Sequence, residues 1–156
     1  MDHSQLIELF RALDRENVRY VLIGALALGV LGLPRATQDV DLFIAPEREN
    51  IERLKRALRA VFADPKVDEI SADDLLGDYA VVRFFPETAA FGIDLVTRIG
   101  EAFRFEDLET QTGEFDGVPV VVVSPKSLWE MKRGTLRWQD RADAARIRER
   151  FGFEEE

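Results

Sequence analysis

Apolar residues along this chain recur with two distinct spacings, and the switches between them mark its elements. Leu6, Leu9, Phe10 and Leu13 fall at helical spacing, which predicts an opening helix to about Arg15. Arg19 to Ile23 is a short apolar run, read as a central strand. Gly24 breaks that run, and Ala25 to Leu31 reads as a helix of small and aliphatic residues ended by Gly32-Leu33-Pro34. Asp39-Val40-Asp41-Leu42-Phe43-Ile44 alternates and then turns fully apolar, which suits a strand buried on at least one face. Pro46 and Glu47 open a helix with Ile51, Leu54, Leu58 and Val61 on its inner side, and Asp64-Pro65 closes it. Ser71 to Leu76 reads as a short helical turn capped by Ser71.

Two strands follow, Tyr79 to Phe85 and Phe91 to Val96, joined across Pro86-Glu87-Thr88. Asp116-Gly117 is a strong hairpin-turn signal before a strand from Val118 to Val123. Ser124-Pro125 caps the next helix, with proline in the first turn, where a missing N–H costs nothing. A final helix spans roughly Arg137 to Arg150. The sequence shows no internal repeat, linker or low-complexity segment beyond the terminal glutamates. The expected fold class is therefore α/β (α+β), a mixed sheet flanked by helices. Residues 1–156 form one domain, with 124–150 a C-terminal helical part and 151–156 an acidic tail.

Composition narrows the chemistry. At 156 residues, 46% of them hydrophobic, the chain can bury a proper core. It has no cysteine, so disulfides and thiolate metal sites are excluded, which fits a reducing cytosol. Its one histidine, His3, leaves almost no material for a histidine zinc site or a Ser-His-Asp triad. The formal net charge of -9 argues against broad, sequence-blind duplex binding. Local contact with an RNA end stays open. The apolar run from Val21 to Leu33 is too short for a spanning helix, which needs about 20 residues, and the start lacks signal-peptide character. A soluble cytoplasmic protein is expected.

The candidate chemistry lies in three aspartates. Residues two apart on a strand face the same side, so the Asp39 and Asp41 carboxylates project together while Val40 and Leu42 point into the opposite layer. Two such carboxylates repel, and an otherwise apolar strand rarely carries them without a compensating cation. Mg²⁺, which prefers hard oxygen ligands, is the natural one. Asp94 sits inside a second apolar strand, between Ile93 and Leu95. If the two strands are neighbours, it joins the same face, and three carboxylates can hold two divalent ions for in-line phosphoryl transfer. The bland alternatives are a solvent-exposed Asp39 and Asp41, and an Asp94 paired with Arg83 or Arg98. Gly24, ending a strand and opening a helix, either lets backbone N–H groups approach a phosphate or simply permits a tight turn.

Gly24-Ala25-Leu26-Ala27, then Gly32, then Arg35-Ala36-Thr37-Gln38-Asp39-Val40-Asp41 resembles the signature of the nucleotidyltransferase superfamily, and more closely its minimal and AbiEii-toxin-like branches. Asp94 matches the third acidic strand residue. Ser124 to Lys132 resembles the family's helix ending in lysine, and Arg137-Trp138-Gln139-Asp140 the Arg-x-x-Asp that follows. Ala25 departs from the pattern, which usually has Gly or Ser there.

The resemblance implies transfer of a nucleoside monophosphate from a nucleoside triphosphate to an acceptor hydroxyl, on an RNA end, a protein or a small molecule. Asp39, Asp41 and Asp94 would be catalytic and would bind Mg²⁺ or Mn²⁺, two ions in all. Gly24, Ala25, Arg35, Thr37 and Lys132 would bind the nucleotide. A toxin or antitoxin partner is implied, and no membrane. Lys132, Asp140 and Asp143 also read as helix-surface charges, Trp129 and Trp138 as core packing, and Phe103 and Phe105 as packing. A catalytically weak nucleotide-binding module of the same fold is the second reading, and a metal-dependent nuclease or glycosyltransferase a third.

Overall fold

A computed structural model describes residues 3–34, 36–99 and 103–153. The opening helix, α1 (His3–Arg15), buries Leu6, Leu9, Phe10 and Leu13 as their spacing requires. It packs on α3 (Arg48–Phe62), which presents Ile51, Leu54 and Leu58 to the core. Each such side chain contributes roughly 1.5–3 kcal/mol on burial. Val61 is only half-buried, and Phe62 fills the inner position beside it.

Between them run β1 (Tyr20–Ile23), α2 (Gly24–Val30) and β2 (Asp39–Ile44). A 3-10 turn (Pro65–Glu69) and α4 (Ala72–Leu76) then lead to β3 (Val81–Phe84) and β4 (Gly92–Val96). The Ser71 hydroxyl caps α4, accepting from the Asp74 N–H at 3.2 Å. Two short strands, β5 (Arg98–Ile99) and β6 (Phe103–Arg104), form a separate ribbon. The hairpin of β7 (Thr110–Phe115) and β8 (Val118–Val123) turns at Asp116-Gly117, both with positive φ. Two helices end the described chain, α5 (Pro125–Arg133) and α6 (Trp138–Phe151). The Ser124 hydroxyl caps α5, 3.2 Å from the Ser127 N–H.

The main sheet has the order β3-β4-β2-β1-β8-β7. β1 runs antiparallel to β2 and parallel to β8, while β2 and β4 are parallel. This is the mixed sheet flanked by helices that the pattern implied. β3 is shorter than the run from Tyr79 to Phe85, because Tyr79 and Phe85 lie outside the ladder and are largely exposed. Buried Asn50 ties the strand ends together. Its Oδ1 accepts from the Arg19 N–H at 2.7 Å, and its Nδ2 donates to the carbonyls of Arg19 and Ala45. Among the described residues no helix is long and apolar enough to cross a membrane. Glu154 to Glu156 lie outside the described residues.

Candidate active site

The alternation in β2 sends Val40 and Leu42 into the core, both fully buried, and leaves Asp39 and Asp41 half-buried on the other face. β4 supplies the partner. Parallel register sets Asp41 opposite Asp94 and Asp39 opposite Gly92. The three carboxylates therefore share one face of two adjacent strands.

Gly24 closes this group from the β1 side. Ile23 is paired with Asp41, so α2 begins directly beside that carboxylate. Gly24 has φ +76°, and a Cβ built on it would lie 2.9 Å from Asp41 Cγ and closer still to Oδ2. Only glycine lets the backbone pass here, on grounds of both conformation and space. Gly92 has a related role. A Cβ there would meet the Phe85 ring at 2.6 Å and Asp39 Oδ1 at 3.2 Å, so its absence leaves room for that ring beside Asp39.

The electrostatics follow from the crowding. Burial raises the Asp41 carboxyl to about 7, and its hydrogen bond with Asp94 and the charges of Asp94 and Asp39 push the same way. Lys132 is near enough to oppose the shift. That lysine is 8% exposed, and its Nζ donates to Asp143 Oδ2 at 3.1 Å and to Asp140 Oδ1 at 3.3 Å. The surface-charge reading of Lys132 and Asp143 is therefore corrected. Asp143 is 3% exposed because α6 turns it into the α5–α6 interface against the ammonium. The packing reading fits Trp129, which is buried, and fails for Trp138, which is 78% exposed in the loop end of α6. Phe103 and Phe105 pack on the core as expected.

Of the two arginines expected as bland partners for Asp94, Arg83 pairs with it. Its Nε donates to Oδ1 at 2.6 Å and its Nη2 to Oδ2 at 3.1 Å. Arg98 instead donates to the Gly77 carbonyl. The pair does not pull Asp94 away from Asp41, since both bonds run along the face that the carboxylates share. Thr37 turns its hydroxyl onto the backbone of Asp39, accepting from the N–H at 3.1 Å and donating to the C=O at 3.2 Å. Ala25 is buried at the start of α2. Arg35 lies outside the described residues. Among the described residues, no group of three His, Cys, Asp or Glu side chains forms a ready-made metal cage.

Sequence reasoning offered the Arg83–Asp94 pair without its bidentate form, and missed the burial of Asp143. The i, i+3 spacing of Asp140 and Asp143, eight and eleven residues after Lys132, was the available signal for the second.

Comparison with solved structures places the fold among nucleotidyltransferases. ANT(2″)-Ia, solved in complex with adenylyl-2″-tobramycin, superposes with a TM-score of 0.58 at 16% identity, over 93% of this chain and 86% of that one. The nucleotidyltransferase candidate TM1012 of Thermotoga maritima gives 0.52 at 14% identity, over 94% and 90%. No curated protein sequence matches. The family described as nucleotidyl transferase AbiEii toxin, type IV toxin–antitoxin system, matches residues 8–148. With nearly the whole fold spanned by that match, the chain belongs to the AbiEii toxin family and is a nucleotidyltransferase.

Proposed function

We propose that this chain transfers a nucleoside monophosphate from a nucleoside triphosphate to an acceptor hydroxyl, on an RNA end, a protein or a small molecule. The reaction depends on a divalent cation, Mg²⁺ or Mn²⁺, and the chain acts in the cytoplasm as the toxin of a toxin–antitoxin pair. The observation that carries this reading is the register of Asp41 opposite Asp94, with the Gly24 backbone packed against the Asp41 carboxylate.

The donor set fits a hard cation. Carboxylate oxygens are the preferred ligands of Mg²⁺, and Asp39 and Asp41 face one way from a strand whose other face is fully buried. Those two residues would hold the ion. When bound, it supplies charge neutralisation for the phosphates and for the pyrophosphate that leaves. Gly24 and Ala25 offer backbone N–H groups to the phosphates, and Lys132, held by Asp140 and Asp143, offers a fixed positive charge. Thr37 holds the entry to β2 in place through its bonds to Asp39. Asp94 receives the proton of the acceptor hydroxyl as its oxygen bonds to the α-phosphorus. The bond from that phosphorus to the bridging oxygen breaks, and pyrophosphate departs with the electron pair.

The decisive experiment incubates the chain with each labelled triphosphate, Mg²⁺ or Mn²⁺, and RNA and protein acceptors. Label should enter one acceptor class with release of pyrophosphate, and Asp41→Asn and Asp94→Asn should abolish it. Absence of transfer with every combination would remove the reading. The second reading, nucleotide binding without transfer, draws on the Arg83 clasp at Asp94 and on Ala25. Thermal stabilisation by a triphosphate with no pyrophosphate released would select it.

A further inference from the structure

A guanidinium already occupies the outer side of the carboxylate group, and this bears on how many cations the site can take. Arg83 stands opposite Asp94 in the antiparallel β3–β4 register. Its fork engages both carboxylate oxygens, at 2.6 and 3.1 Å. On its other side the guanidinium lies 5.6 Å from the Phe85 ring centroid. That ring is itself seated over Gly92, where a side chain would collide with it. Arg83 is thus held between a carboxylate and an aromatic ring.

The exposures show which partner faces the solvent. The Asp94 side chain is 14% exposed and that of Arg83 is 55% exposed. β3 is the edge strand, so a cation reaching Asp94 from this edge meets the guanidinium first. Mg²⁺ demands near-octahedral oxygen ligation at short range. Each Asp94 oxygen already accepts from Arg83, so Mg²⁺ would have to share that oxygen through its remaining lone pair, with the guanidinium charge directly beside it. Neither Asp39 nor Asp41 carries such a guanidinium pair among the described side chains, and an ion bound there would replace the Asp41–Asp94 hydrogen bond. In charge, Arg83 offsets one of the three carboxylates, and one divalent ion offsets the other two.

We infer that Arg83 takes the place of a second cation at Asp94, so that the centre binds a single divalent ion, at Asp39 and Asp41. This replaces the two-ion expectation drawn from three converging carboxylates, and it rests on the metal-dependent reading above. Arg83 is then a positioning residue that orients Asp94 toward the acceptor hydroxyl.

The test counts bound ions rather than turnover. The full chain, with one equivalent of a triphosphate carrying a non-cleavable α,β-bridge, is titrated with Mn²⁺ while the EPR signal of free ion is followed. Wild type should bind one Mn²⁺ per complex. Arg83→Gln should bind two, the second at least tenfold tighter than any second ion in wild type. Arg83→Lys, which keeps the charge on a folded edge strand, should bind one.

Two ions in wild type would overturn the inference and leave the metal-dependent reading intact. One ion in both wild type and Arg83→Gln would also overturn it, making the pair a cross-strand tie that changes stability alone. If Asp41→Asn binds as many ions as wild type, the metal-dependent reading itself fails.

Discussion

Replacing Gly24 with alanine adds one methyl group at the most crowded point of the site, and the consequences separate into two parts. The first is conformational. At φ +76° an L-residue pays roughly 1–2 kcal/mol that glycine does not. The second is spatial. The new Cβ would fall 2.9 Å from Asp41 Cγ and 3.1 Å from its Cβ, so the Asp41 side chain must rotate or the strand must shift, at about 1–3 kcal/mol. The sum, about 2–5 kcal/mol, should lower Tm by roughly 5–15 °C in a chain of this length.

Only the spatial part depends on Asp41. In an Asp41→Ala background the carboxylate is gone and just the Cβ at 3.1 Å remains. There Gly24→Ala should cost little more than its conformational part. Denaturant unfolding of wild type, both single variants and the double variant measures the coupling, expected at about 1–3 kcal/mol. Nucleotide transfer by Gly24→Ala should fall further than its lost stability explains, because Asp41 is displaced from Asp39 and Asp94. An equal cost of Gly24→Ala in both backgrounds would refute the claim that the glycine exists to admit that carboxylate.

Other consequences can be read separately. Asp41 titrates near 7 when folded and near 3.8 when unfolded, so the folded chain holds more protons between these values and loses stability as pH rises through them. Without divalent cation, Asp41→Asn should therefore gain on wild type between pH 4 and pH 8, by at most about 4 kcal/mol. Denaturant midpoints at the two pH values check this, and an unchanged difference refutes it. Lys132→Met removes the ammonium that bonds both Asp140 and Asp143 and should cost about 3–5 kcal/mol. A thermal shift corresponding to under about 1 kcal/mol would show that the buried carboxylates find other relief. Asn50→Ala leaves the part-buried Arg19 N–H without its acceptor and should cost about 1–3 kcal/mol by chemical unfolding, with nucleotide binding unchanged.

What could be read from the chain, and what could not, divides along a physical line. Element type depends on local period, and the period was plain in α1, β2 and α3, whose buried residues repeat at helical or alternate spacing. Asp39 and Asp41 stood out for the same reason, being charges inside a strand that is otherwise apolar. The fate of a charge on a helix depends instead on what packs against it. α6 carries charges around much of its circumference, so apart from its i, i+3 spacing to Asp140 nothing local distinguished Asp143, which is buried against Lys132, from Arg141, which is exposed. Trp138 misled in the opposite direction, since its size suggested a core position that the loop end of α6 does not supply. Arg83 stood among the partners expected for Asp94, and only the antiparallel β3–β4 register decides for it over Arg98.

Topology accounts for why the site lies where it does. β1 and β8 are parallel neighbours, so α2 and α5, which follow them directly, leave the sheet at the same end. β2 runs against β1 and therefore begins at that end, with Asp39 and Asp41 at its start. β4, parallel to β2, brings Asp94 up beside them. Gly24, the paired aspartates and the helix carrying Lys132 are thus drawn together by strand direction alone. Reversing any one of these strands would carry its contribution to the far end of the sheet. The residues that bear the chemistry are therefore fixed by the pairing order, and the identity of Gly24 then decides how closely the α2 backbone can approach the carboxylates so assembled.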